Sequence, residues 1–516
     1  MRRTLAVLAF LLVTTGSALA AYTLTRPDPA IDAVADGCQR DRGTIYTREA
    51  PEWAYVGDRA TRATDPPPAP QWAEGVVNVN GANWFEASHP AGGDAPITHD
   101  AEDYNFNVLV DPAYADLVGG VEPARTGNFA GEGEETGRLH VEREMNAIPF
   151  FVWPTFGDRV RVQGSWIWDC GHFDPPGLER TELHPVRALW TQRTPSPSSP
   201  TGESEGDLFI STEKTPAGIE IDCAHRAKGD HAAFKACLLT EPRYEDAREW
   251  KGAAPLPEYQ FVLRAPPKPA GASALRARVV DRGSTSGVTA SVRIVGATAQ
   301  VDVKTPSPAG QRIVVAKQVF LGWTRVPARS LPLHLRVTFT RLHIVRAMDP
   351  GCPPSQPVCT SKESDRAGQI SHSPGEWNLD LDVAGVWRAW SPVVVHARDG
   401  QIFRRPQRFD IYLPRSRGFG LTVFSRECDF GSGAFSSQAA AMFPCPTNPA
   451  EFGNPIGDDV PGWVAVRYGS AARSPGSYKG FPKRASSTCP ASNVRGCYDV
   501  DWQIVRVPDE RTRAAR

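Results

Sequence analysis

Large apolar residues recur at every second position along much of this chain, and that period limits what it can fold into. In RVRVQGSWIW (159–168), Val160, Val162, Trp166 and Trp168 share one parity, and Arg159, Arg161, Gln163 and Ser165 share the other. A period of two with bulky residues on one side makes a half-buried strand. In DYNFNVLVD, Tyr104, Phe106, Val108 and Val110 alternate with Asp103, Asn105 and Asn107. TASVRIV, AQVDVKT, RFDIYL and YDVDWQIVRV continue the pattern downstream. One helix is expected, DHAAFKACLL, with Asp230 as its N-cap. The 45 glycines and 47 prolines among 516 residues supply the turns that many short strands need. The expected fold class is all-β, a five-stranded barrel plus β-sandwich domains, with little helix.

The first twenty residues, MRRTLAVLAFLLVTTGSALA, carry a basic start, an apolar run from Leu5 to Val13 and a small-x-small end at Ala18-Leu19-Ala20. This reads as a secretory signal peptide over 1–20, removed before Ala21. The mature chain is therefore expected outside the cytoplasm, where disulfides are the default. Its ten cysteines are Cys38, Cys170, Cys223, Cys237, Cys352, Cys359, Cys428, Cys445, Cys489 and Cys497. Close spacing suggests Cys223–Cys237, Cys352–Cys359, Cys428–Cys445 and Cys489–Cys497, leaving Cys38–Cys170; spacing alone does not fix the connectivity. No later stretch approaches 18 apolar residues, so no transmembrane segment is expected in the mature chain. The net charge of -1 gives no footprint for nucleic acid.

Composition divides the remainder. Residues 21–70 are a polar extension ending in DPPPAPQ, and 71–193 are β-rich. TPSPSSPTGESEGD (194–207) reads as a linker. A β-rich middle block with the single helix spans 208–331, and a last strand-rich block spans 332–516.

In 71–193 the expected strands lie in GVVNVN, DYNFNVLVD, GRLHVERE, GDRVRVQGSWIW and LHPVRALW, the fourth kinked at Gly164. Five strands, a kinked fourth and a GDRVRVQG element resemble the OB-fold, a small Greek-key barrel. The resemblance implies a binding surface on the second and third strands, of the kind that takes oligonucleotides or oligosaccharides. Here that face offers Asp103, Asn105 and Asn107, with no basic groove or aromatic platform.

The fourth strand runs into DCGHFDPPGLERTELHPVRALW, where Asp169, His172, Glu182 and His184 crowd one hairpin. Glu182 and His184 are two apart and face the same side of a strand, and a barrel would bring Asp103 and His140 alongside. Two His with carboxylates suit Zn2+ or another transition metal. Plain structural roles fit the same residues: Asp169 as a turn former, His184 before Pro185 as a strand end, and Glu182 paired with Arg180 or Arg187. Cys223, His225, His231 and Cys237 lack paired metal-ligand spacing and read as a disulfide pinning the helix.

The last block, from LHLRVTFTRLHIVRAMDP through GEWNLDLDVAGVW, RFDIYLP and GLTVFSRECDF to IGDDVPGWVAVRY, resembles C2-like β-sandwiches. That resemblance implies Ca2+ held by loop carboxylates: Asp349 in the first loop, Glu427 and Asp429 at the Asp-x-Asp positions, and Asp458 or Asp459 in the later loop. Glu427 departs from the pattern, Cys428 lies between two of the acids, and Asp380 and Asp382 read as a solvated strand face.

The sequence thus points to a secreted, disulfide-stapled binding protein with a glycan, lipid or protein ligand and an assisting metal. A metal-dependent hydrolase centred on the barrel hairpin and a structural envelope protein are the alternatives.

Overall fold

The computed structural model describes residues 53–55, 69–77, 88–90, 103–118, 138–144, 148–169, 180–214, 231–242, 258–306, 312–347, 375–391, 395–427, 459–482 and 497–508, with isolated residues between 219 and 227. The fold is all-β. Its first unit is a closed barrel of five strands: β2 (Gln71–Val77), β4 (Asp103–Val110), β5 (Leu139–Glu144), β6 (Arg159–Asp169) and β7 (Arg180–Arg193). They close in the ring β2–β4–β5–β7–β6–β2, antiparallel throughout except for the parallel pair β5–β7. Short strands β1 (Trp53–Tyr55) and β3 (Ser88–Pro90) add to β6 and β4. The alternation sends Phe106, Val141, Val162, Trp166 and Leu183 inward to one core.

The kink expected at Gly164 has a physical cause. A Cβ there would lie 2.9 Å from the Pro185 carbonyl oxygen and 3.2 Å from Leu183 Cβ, so only glycine lets β6 approach β7 this closely. The β6–β7 register shifts on both sides of it.

The barrel sheet does not stop at β7. It continues through β8 (Ser204–Ser211) and β13 (Val314–Trp323) to β10 (Leu275–Asp281). The linker expected at 194–207 is therefore corrected: 194–203 is the turn of the β7–β8 hairpin, and 204–207 already belong to β8. Its serines are structural. Ser196 and Ser198 hydroxyls donate to Glu205, and the Ser199 hydroxyl to Glu203 at 3.0 Å. The middle block is likewise shared with the barrel. Strands β9 (Glu258–Arg264), β11 (Thr289–Val295) and β12 (Thr298–Lys304) form a three-stranded sheet over its outer wall. Trp190 stacks on Phe261 at 5.2 Å, and Trp72 meets the same ring edge-on at 6.2 Å. Helix α1 (His231–Thr240) begins directly after Asp230, where it was expected.

The chain ends in a sandwich of two five-stranded sheets. One contains β14 (Leu333–Arg346), β18 (Gln401–Phe403), β19 (Gln407–Leu413), β22 (Gly476–Gly480) and β23 (Cys497–Arg506). The other contains β15 (Gly375–Val383), β16 (Val386–Ala389), β17 (Val395–Ala397), β20 (Phe419–Glu427) and β21 (Asp459–Tyr468). Phe339, Trp377, Trp390, Tyr498 and Trp502 fill the space between them.

Asp380 and Asp382 on β15 are buried, which corrects the solvated face expected for them. Leu379, Leu381 and Val383 point into the sandwich, and the opposite face of β15 is covered by the end of the barrel. The Thr155 hydroxyl donates to Asp382 Oδ2 at 3.1 Å, and the Gly385 N–H to Asp382 Oδ1 at 2.7 Å. Trp387 meets Trp153 edge-on at 5.3 Å, and Trp153 stacks on Tyr104 of the barrel at 4.1 Å. Trp153 is thus buried between both units, so Trp153→Ala should cost about 3–5 kcal/mol, read as a lower urea midpoint of the whole chain.

Candidate functional site

Three neighbouring strands carry one polar row across the outer wall of the barrel. Asn107 on β4 lies opposite His140 on β5, and His140 lies opposite Glu182 on β7. Glu142, two residues beyond His140, points the same way because side chains alternate along a strand. The His140 ring, Glu142 and Glu182 each offer a ligand atom, all within 4.8 Å of one another. His140 Nε2 is 3.1 Å from Glu142 Oε2, and Nδ1 is 2.9 Å from Asn107 Oδ1. With Asn107 Oδ1 accepting the Nδ1 proton, Nε2 is the ligand nitrogen and faces the carboxylates. His184 lies beside Glu182, its Nδ1 3.3 Å from Glu182 Oε1.

One imidazole and two carboxylates suit a divalent transition metal, which binds nitrogen and oxygen donors at about 2.0–2.2 Å. The Glu142 and Glu182 side chains are 6% and 3% exposed, against 25% for His140. The site therefore opens to solvent on the His140 side, where an exogenous ligand could reach a bound ion.

Of the four residues expected to hold the metal, only Glu182 offers a ligand atom to this group; His184 lies beside Glu182 but is not part of it. Asp169 ends β6 opposite Arg180, its side chain outside the described residues, and His172 also lies outside them. The other two members come from β5. His140 was expected to approach; Glu142 was missed, although HVE and ELH carry the same i, i+2 spacing on the two strands. Asp103 lies four residues from Asn107 along β4, about 13 Å away, and does not join the row.

The calcium residues are placed less fully. Glu427 ends β20 and Asp459 begins β21, and the two are direct register partners at one end of the sandwich. Their side chains, and all of Asp349, Asp429 and Asp458, lie outside the described residues.

Cys223 and Cys237 also approach Glu241, but the two sulfurs are joined in a disulfide, with Cα atoms 5.5 Å apart. Glu241 is neutralised instead by Lys214 at 2.6 Å and by Arg226. Cys497 is also disulfide-bonded; its expected partner Cys489, with Cys38, Cys170, Cys352, Cys359, Cys428 and Cys445, lies outside the described residues.

No protein-family model matches the chain, and no curated protein matches it. Among solved structures it is similar to a C2 domain of plant Extended Synaptotagmin 1, at 8% identity and a TM-score of 0.19, over 34% of this chain and 98% of that one. It is also similar to human GIVD cytosolic phospholipase A2, at 7% identity and a TM-score of 0.19, over 86% of this chain and 33% of that one. Likeness at these scores carries no functional argument. Among the described residues no helix is long and apolar enough to cross a membrane.

The Cys223–Cys237 bridge closes a loop of 14 residues around the start of α1. Replacing both with alanine should lower local stability by about 3 kcal/mol, seen as faster amide exchange across 231–240.

Proposed function

We propose that this chain is an extracytoplasmic binding protein whose barrel wall carries a divalent transition-metal centre. The observation that carries this reading is the convergence of His140, Glu142 and Glu182 from two strands within 4.8 Å. Asn107 orients the imidazole, and His184 lies beside Glu182. Such supporting groups commonly decide metal affinity by about 10- to 100-fold. The nitrogen donor favours Zn2+ over Ca2+ at this site. The basic, apolar and small-residue order of residues 1–20 supports export.

The ring order of the barrel, with its single parallel pair between the third and fifth strands, supports the OB-fold resemblance and a ligand laid across β4 and β5. A metal with an open side assists by binding an oxygen of a glycan, lipid headgroup or protein ligand directly. The described outer face of β4 and β5 lacks the basic groove that a nucleic acid would require.

A hydrolase reading draws on the same open side, because three protein ligands leave a position for water. A second ion site, for Ca2+, at Asp349, Glu427, Asp429, Asp458 and Asp459 draws support from the pairing of Glu427 with Asp459.

Full-length mature protein should copurify with about one Zn2+ by elemental analysis. Zn2+ at 100 times its Kd should stabilise the EDTA-treated protein by about 2.7 kcal/mol. His140→Ala and Glu182→Ala should abolish both effects, and Asn107→Leu should weaken Zn2+ by about 10- to 100-fold. Stabilisation by Ca2+ alone, lost in Asp429→Asn, would move the metal to the sandwich and refute the barrel centre. Turnover of an ester or glycoside that vanishes with the zinc would decide for the hydrolase.

A further inference from the structure

The joint between barrel and sandwich buries more acids than bases. Arg193, at the end of β7, is its one fully buried cation among the described residues. Its Nε lies 3.0 Å from Asp158, Nη1 donates to Asp207, and Nη2 donates to the Trp153 carbonyl at 2.6 Å. Asp207 and Glu205 on β8 share the Gln318 amide of β13, at 2.7 and 2.8 Å. Asp382 faces this group from the sandwich, beside Asp380 on its own strand and Tyr104 on β4. Arg417, in the β19–β20 turn, is the second cation; it donates to the Pro195 carbonyl at 2.8 Å. The joint thus sets Asp158, Glu205, Asp207, Asp380 and Asp382 against Arg193 and Arg417.

The carboxylates are not equivalent. Asp158 and Asp207 touch Arg193 directly, and Glu205 accepts two serine hydroxyls and an amide. Asp382 accepts from a hydroxyl and one backbone N–H, and forms no ion pair with any described residue. The turn that presents it has no slack. A Cβ on Gly385, at φ +88°, would lie 3.0 Å from Thr155 Cγ2 and 3.1 Å from Arg193 Nε. A carboxylate charged at that place, with Arg193 near but not in direct contact, opposes the docking of its own turn.

From this arrangement we infer that the barrel–sandwich joint is a proton-controlled latch: Asp382 is docked as the neutral acid, and its ionisation loosens the 383–387 turn from the barrel. Burial is the main cause that lifts its pKa, to about 7, against 3.8 when exposed. A raised folded value means that the joint is firmest below about pH 3.8, loses stability as pH rises from there to about 7, and loses no more above it. Burial also raises Asp158, despite Arg193, and lifts Asp207 further with help from Glu205. Both keep a direct partner in the charged state.

Amide exchange of the full chain, corrected for intrinsic pH dependence, tests this. Between about pH 4 and 7 the protection of the Gly385 and Ala384 amides should fall by up to about tenfold per pH unit, the slope for one proton released on opening, and it should level off above about pH 7, where Asp382 is already ionised in the closed joint. The Leu421 and Val423 amides inside the sandwich should hold their protection. Asp382→Asn, which keeps the shape without the charge, should flatten the slope. Thr155→Val removes a donor that favours the charged form, so the decline should run on to higher pH before it levels off. A flat wild-type profile, a slope surviving in Asp382→Asn, or an equal slope at Leu421 would overturn the latch. Should Asp382→Asn fail to fold, the pH at which the decline levels off in Thr155→Val decides: an unmoved value refutes the latch.

Discussion

A guanidinium removed from water must find anions, and much of this molecule is arranged around one that has. Arg193 lies where the barrel wall ends, the β7–β8 turn begins and the sandwich arrives. Burial works against its charge, but Asp158, Asp207 and Glu205 outweigh that cost and hold its pKa above the ordinary value. Breaking such a buried set from one side leaves charges without partners, which is far more damaging than removing an exposed pair. The aromatic contacts beside it, Tyr104 to Trp153 to Trp387, give the same junction an apolar half.

Strand β7 links that junction to the candidate metal site. Its first half brings Glu182 and His184 beside β5 through the only parallel pairing of the barrel ring. Its second half carries Trp190 under the three-stranded sheet and ends in Arg193. The strand changes register against β6 at Gly164, so its early residues close the barrel and its later ones continue as an open sheet. One segment of 14 residues therefore fixes the site, the closure and the joint.

Much of the barrel was legible because alternation reports burial directly: Val160, Val162 and Trp166 face the core as their parity requires. Glu182 and His184 were legible for the same reason. Glu142 was not, because its role depends on β5 lying parallel to β7, a pairing that no local pattern encodes. The segment 194–207 misled because serine, proline and glutamate are linker residues by composition. Here those hydroxyls satisfy Glu203 and Glu205 within a tight turn. Asp380 and Asp382 misled because an alternating polar face usually meets water, whereas this one meets Thr155, 227 residues away in the chain. Of the calcium residues, Glu427 and Asp459 end up paired across β20 and β21, and Asp349, Asp429 and Asp458 lie outside the described residues.

The unbroken sheet running from the barrel through β8, β13 and β10 also bears on how the protein can be divided. A chain cut after Arg193 would keep every strand of the ring yet lose β8, leaving a long row of N–H and C=O groups on β7 without a neighbour. It would also uncover Trp72 and Trp190, which the β9–β12 sheet shields. Such an edge pairs readily with a second copy of itself. The Pro- and Ser-rich stretch that most invites a cut is thus the place where a cut would do most harm. The barrel keeps its edge paired and its outer wall covered only with strands β8 to β13, which follow it in the chain.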